Sequence, residues 1–167
     1  MQYQVSITQK INCDLARAFK TPILCDVSKI HTGFGIMPKI THVSHDQSWG
    51  KPGSSKRVYA QKNWIQNGGY VSMDHVIERD ENKQWKIRVD DFQAWMLGFT
   101  SFHGTWETEM LAENEILVRY SYQLFAKHWI LFPLQWLFAN WFWKRYMNQV
   151  MRNIIQLIKT QEPYHYD

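Results

Sequence analysis

Cysteine is nearly absent. The chain of 167 residues has only Cys13 and Cys25, too few and too unpatterned for a disulfide framework or a thiolate metal site, so both read as thiols in a reducing compartment. Also missing is an apolar run long enough to cross a bilayer. The best stretch, Trp129 to Trp143, is broken by Gln135 and Asn140 and ends at Lys144 and Arg145, short of the roughly 20 residues that a spanning helix needs. Met1 to Ile11 alternates polar and apolar residues with no basic start followed by an apolar run. No secretory leader is therefore expected, and a cytoplasmic location is.

Glycine-dependent motifs are lacking too. Gly33-Phe34-Gly35 has neither the third glycine nor the preceding strand of a dinucleotide fingerprint, no phosphate-loop glycines precede a lysine, and no Gly-x-Ser-x-Gly elbow occurs, so no phosphate cofactor or serine hydrolysis is expected. His42 and His45 are three apart, which on a strand puts them on opposite faces. The other histidines, at 31, 75, 103, 128 and 165, show no zinc-ligand spacing, so no metal is expected. The net charge is +4, but the basic residues are scattered rather than gathered in a stripe, which argues against nucleic acid as a partner. No Pro, Gly or Ser linker and no charge run divides residues 1–167, and one domain is expected.

What is abundant is aromatic surface: 16% of the residues are Phe, Trp or Tyr, and 45% are hydrophobic. Such side chains make rigid pocket walls as well as core. Tyr3, Val5, Ile7, Gln9 and Ile11 fall on one face of a first strand. Two short helices are expected next, one starting after Asn12–Asp14 and interrupted at Pro22, the other running through Ile23, Val27 and Ile30 to the glycines at 33 and 35. Six strands follow, at about 39–45, 56–64, 70–79, 85–92, 102–110 and 116–125, mostly joined by hairpin turns such as Asn67-Gly68.

From about His128 to Ile158 the sequence reads as one long helix. At 100° per residue, Trp136, Asn140, Trp143, Met147, Val150, Met151, Ile154, Leu157 and Ile158 share a stripe roughly 120° wide, which should face the core. Asn140 is its one polar member. Leu137, Phe138, Trp141 and Phe142 point elsewhere, so the start of the helix is apolar all round and needs a loop, a second copy or a lipid surface to cover it.

Pro38, Ile40 and Val43 in "MPKITHV", Trp49, Gly53 and Arg57 in "SWGKPGSSKR", Gly104 and Trp106 in "FHGTWE", and Tyr120 and Tyr122 before the final helix occur in an order that resembles the START-like, polyketide-cyclase-like (SRPBCC) superfamily over essentially the whole chain. The resemblance implies an α+β helix-grip fold: a curved antiparallel sheet of about seven strands wrapped around a long C-terminal helix. It also implies a cavity for a small hydrophobic or lipid-like molecule. Some members are cyclases or aromatases, but no acid, base or nucleophile set of theirs can be matched in this chain. A carboxylate on the fourth strand is common in the superfamily, and Asp74 stands at the matching position.

Parity supplies the candidate ligand-binding residues. On strand five Trp85, Ile87, Val89 and Asp91 share a face, which makes Asp91 the leading polar candidate. A carboxylate in an apolar cavity has a raised pKa and suits an anchor or a general acid or base. Asp74 shares a face with Ser72 and Val76, while the opposite face, with Val71, Met73, His75 and Ile77, is more apolar, so its direction stays open. Strand six presents Trp106 beside Gly104, where the missing side chain could leave room for a ligand, and strand seven turns Tyr120 and Tyr122 inward. Trp143 and Met147 would complete the walls, with Asn140 as a second polar anchor, and the loop from Trp95 to Phe99 would form a lid. The leading expectation is a binding or transport protein for an apolar ligand, without catalytic residues. The alternatives are a cyclase or dehydratase using Asp91 or Asp74, and a module that meets a membrane or a second copy through Leu137, Phe138, Trp141 and Phe142.

Overall fold

A computed structural model describes residues 1–166. It begins with β1 (Gln2–Asn12), whose Tyr3, Val5, Ile7 and Ile11 are buried as the alternation requires. Asp14 then caps α1 (Leu15–Leu24), its carboxylate accepting from the Arg17 N–H at 2.8 Å. Pro22 does not interrupt α1. It sits in the last turn, where the N–H it lacks removes a single helical bond. The second short helix shrinks to one 3-10 turn, Val27–Lys29, capped by Asp26. Thr32–Phe34 forms a short strand, β2, with Gly33 inside it and Gly35 just after it, both at positive φ. There, Gly33 and Gly35 shape a hairpin into β3 (Met37–Val43) and do not end a helix.

The remaining strands are β4 (Ser55–Ala60), β5 (Gly69–Asp80), β6 (Gln84–Asp90), β7 (Phe99–Ala112) and β8 (Glu115–Ala126). All eight make one antiparallel sheet in the order β1-β8-β7-β6-β5-β4-β3-β2, one strand more than expected because of β2. Register shifts in β3, β4, β5 and β7 curl it. β4 stops at Ala60 because the Asn63 side chain accepts from the N–H groups of Ile65 and Gln66, turning the chain outward. β6 stops at Asp90 because Asp91 takes a φ of 51°.

The sheet grips one continuous helix made of α2 (Phe132–Leu137), a π-helical segment (Phe138–Trp143) and α3 (Lys144–Lys159). Met147, Val150, Met151, Ile154, Leu157 and Ile158 of α3 are buried, as the apolar stripe predicts, and Tyr146, outside that stripe, is buried with them. The first half departs from that stripe. Trp136 and Asn140 face outward, while Gln135, Phe138 and Ala139 are buried. A π turn closes i to i+5 bonds and absorbs an extra residue, so the inward face before it is shifted by one position from the 3.6-residue count. Phe138 therefore swings into the core and Phe142 becomes half-buried, leaving Leu137 and Trp141 as the exposed members of the expected docking set.

Candidate ligand cavity

Between the sheet and the front half of the helix lies an apolar cavity of about 270 Å³. β5 and β6 give it Val71, Ser72, Asp74, Ile87 and Val89, and the helix gives it Phe138, Trp143 and Tyr146. Pro38 and Ile40 of β3 close one side. The chain from Phe92 to Leu97 covers it with Ala94, Met96 and Leu97, placing the expected lid over the cavity. Gln135, fully buried, ties this cover down: its amide donates to the carbonyls of Leu97 (2.8 Å) and His128 (3.1 Å), and its Oε1 accepts from the Tyr3 hydroxyl at 2.9 Å. Every polar group of that side chain is satisfied, as burial demands.

A second, smaller chamber of about 40 Å³ continues inward, sharing Val27, His31, Asp74, Ile87 and Tyr122 with the first. Lys56 and Asp74 enter it from neighbouring strands, directly opposite one another in the β4–β5 register. Lys56 is 1% exposed, its Nζ has no hydrogen-bond partner, and it lies 3.6 Å from the centre of the Trp49 ring. Burial pushes its ammonium down to about 8, against the pull of Asp74. Burial pushes the Asp74 carboxyl up to about 6, opposed chiefly by Lys56. The surface that Asp74 keeps faces the two chambers. His31, driven down to about 4 by burial and by the nearby Lys56, shares a 2.6 Å hydrogen bond with the Tyr146 hydroxyl. The Tyr120 hydroxyl donates to that of Tyr122 at 3.0 Å, and burial raises both phenols far out of the physiological range.

The sequence-derived candidates thus separate. Tyr122 and Asp74 line both chambers, Trp143 the outer one, and Trp106 and Tyr120 the inner one. Met147 is buried in the core and lines neither. Asn140 is exposed and donates to the Trp136 carbonyl on its own helix. Asp91 is also outside: parity carried it inward only on a strand that continued, and the left-handed turn at Asp91 sends it to the surface, where it accepts from the Tyr70 hydroxyl. Nor does Gly104 leave room for a ligand. A Cβ there would meet the Tyr122 ring at 2.9 Å, so the space is already filled by that ring. Sequence reasoning missed Lys56 and Gln135. For Lys56 the signal existed, since alternation along β4 places it with buried Val58 and Ala60. For Gln135 it did not, because the π turn hides the phase.

A larger hollow of about 380 Å³ on the other face of the sheet is lined by Asp80, Lys83, Glu107, Arg119 and other polar groups. It holds no apolar enclosure, and the inner cavity is the candidate site. Among the described residues no cluster of three His, Cys, Asp or Glu side chains is gathered to hold a metal, and no helix is long and apolar enough to cross a membrane.

The architecture is the helix-grip fold of Bet v 1-like proteins, and the resemblance to the START-like superfamily holds at the level of fold. Among solved structures, SA2116 from Staphylococcus aureus, a protein of unknown function, matches with a TM-score of 0.71 and 12% identity, over 96% of each chain. A norcoclaurine synthase point mutant from Thalictrum flavum, solved with a transition state analogue, matches at 0.68 and 11% identity over 98% of each chain. Ara h 8.0201 matches at 0.67 and 14% identity over 96% of this chain and 99% of its own. No family model and no curated protein matches the sequence.

Proposed function

We propose that this chain binds, and carries, a small hydrophobic or lipid-like molecule in the cavity between the sheet and the C-terminal helix. The observation that carries the reading is the cavity itself: about 270 Å³ walled by Ile87, Val89, Phe102, Phe138 and Trp143, with few polar groups. That is the composition of a small-molecule site. Tyr122, Trp143 and Asp74 are the ligand contacts, with Trp106 and Tyr120 backing the inner end. The test is native mass spectrometry of the protein as purified and after solvent stripping, with a cavity-filling Val89→Phe variant beside it. A bound or rebindable apolar molecule, weakened by Val89→Phe, is expected. A stripped protein that rebinds none overturns the reading. The free thiols of Cys13 and Cys25 suit a cytoplasmic site of action. An enzymatic version rests on Asp74 alone, as a general acid or base.

A second reading, docking on an anionic lipid surface, is favoured by the outer side of the same helix. Trp129, Ile130, Phe132, Leu134, Trp136, Leu137 and Trp141 are each 47–75% exposed. No acidic residue occurs between Ile116 and Gln161, a span that contains Arg119, Lys127, Lys144, Arg145, Arg152 and Lys159. Arg119 is paired with Glu107 on the sheet, but Lys144 and Arg145 next to the exposed aromatics have no acidic partner among the described residues, which suits an anionic membrane interface better than a second copy of the same charge. In flotation, binding to vesicles of phosphatidylserine and phosphatidylcholine but not to pure phosphatidylcholine is expected. A stable dimer with no vesicle binding overturns it.

A further inference from the structure

We propose that the inner chamber recognises a hydroxyl group: Lys56 and Asp74 together hold the OH of an apolar alcohol or phenol whose hydrocarbon body fills the outer cavity. This deepens the ligand-binding reading and rests on it. The chamber's charged lining residues are these two, placed opposite each other on adjacent strands. They make no ion pair. The Lys56 ammonium has three N–H groups and no acceptor, only the face of Trp49. Among the described residues no hydrogen bond holds the Asp74 carboxylate, which feels Lys56 only through space. Buried polar groups left this way are costly, and both face a space of about 40 Å³ that opens onto an apolar cavity.

The chemistry of the pair selects the group. A hydroxyl oxygen accepts from the ammonium while its proton is donated to the carboxylate, so one small neutral group completes both. A ligand carboxylate would satisfy Lys56 but face the charge of Asp74. An amine would do the reverse. An ether or ketone accepts from Lys56 and gives Asp74 nothing. Of the other polar groups that line the chamber, His31 is engaged with Tyr146 and Tyr120 with Tyr122, while the indole N–H groups of Trp85 and Trp106 are unpartnered. These two can only donate, so Asp74 remains the acceptor for a ligand's proton.

The probes are 2-naphthol, 2-methoxynaphthalene and 2-naphthoate, titrated calorimetrically into the whole chain near neutral pH. The naphthol is expected to bind about tenfold more tightly than either of the others, the worth of one charge-assisted hydrogen bond. Lys56→Met, which keeps a stem over Trp49, and Asp74→Asn should each bring naphthol down to the level of the ether. The ether should bind Asp74→Asn as it binds the natural chain, which reports that this variant's cavity is formed. Lys56→Met takes away the N–H that the ether accepts from, so its cavity is checked with unsubstituted naphthalene, which touches neither group and should bind it as it binds the natural chain. In the unmutated protein the Cε resonance of Lys56 should move with naphthol and not with naphthalene. Equal affinity for naphthol and ether, a preference that survives both substitutions, or an unmoved Lys56 signal overturns the hydroxyl assignment and leaves the cavity reading standing. If none of the three probes binds, both fall.

Discussion

The interior has two ends, and they are built differently. At one, α3 lies on β1 and α1 in a closed apolar core: Phe19, Ile116, Val118 and Val150 are at most 1% exposed, with no polar group among them. At the other, α2 and the π turn lie over a hollow whose floor holds a buried lysine and a half-buried aspartate. Close packing stabilises a fold, and a polar hollow weakens it. The difference shows where sequence was spent on stability and where stability was given up for a site.

The comparison breaks most visibly at the packed end. Ile116→Ala, at a side chain that lines neither chamber, should cost about 3–4 kcal/mol, the range for a fully buried aliphatic side chain that leaves a cavity behind. Denaturant unfolding measures it. A loss below about 1 kcal/mol would mean that this end is no better packed than the other.

At the hollow end the sign reverses. Lys56 is shifted down to about 8 from 10.5, so its cost to folding is complete below pH 8, where it is charged in both states, and fades as pH rises to 10.5. Asp74 is shifted up to about 6 from 3.8, so its cost is complete above pH 6 and fades as pH falls to 3.8. At pH 7 both costs are present, each about 3 kcal/mol. The double variant Lys56→Met, Asp74→Asn should therefore be more stable than the natural chain by roughly 2–4 kcal/mol, less what is lost over Trp49. Its advantage should shrink between pH 8 and 9 as Lys56 discharges in the natural chain. A double variant that is less stable at pH 7 would show that the pair holds the fold together.

Gln135 joins the two ends, linking β1, the cover and the helix. Gln135→Leu leaves the Tyr3 hydroxyl and two carbonyls without their partner, and should cost about 2–3 kcal/mol. Amide exchange should quicken over 92–98 while α3 stays protected. Uniform loosening would instead make the cover part of the packed end.

These contrasts also explain what could be read from sequence. The strands of the sheet and the α3 stripe were legible because each is an uninterrupted period: Ile116, Val118, Tyr120, Tyr122 and Leu124 alternate cleanly, and all five are buried. The hollow end was legible only in part. Its walls are made where periods break, at the π turn before Trp143 and at the left-handed turn of Asp91. Counting through those breaks put Asn140 and Asp91 inside and left Gln135 out. Asp74 required a choice between two faces of β5 that apolar content alone would have decided wrongly, because Met73, His75 and Ile77 lie on the other side and Val71, at a register shift, joins Asp74 at the cavity. Lys56 was readable by parity, but a charged residue on an inward face is normally assigned to water.

The smallest effect on stability should come from the helix surface over the hollow. Trp136, Leu137 and Trp141 are about half exposed, so their burial contributes little, and replacing each with Ser should change stability by no more than about 0.5 kcal/mol. Lipid binding should respond quite differently. The same three side chains present apolar area to a bilayer, flanked by Lys144 and Arg145, and flotation with anionic vesicles should fall sharply in the triple variant while 2-naphthol still binds. Loss of both together would mean that these residues shape the cavity; loss of neither would leave the apolar surface of α2 without a membrane role.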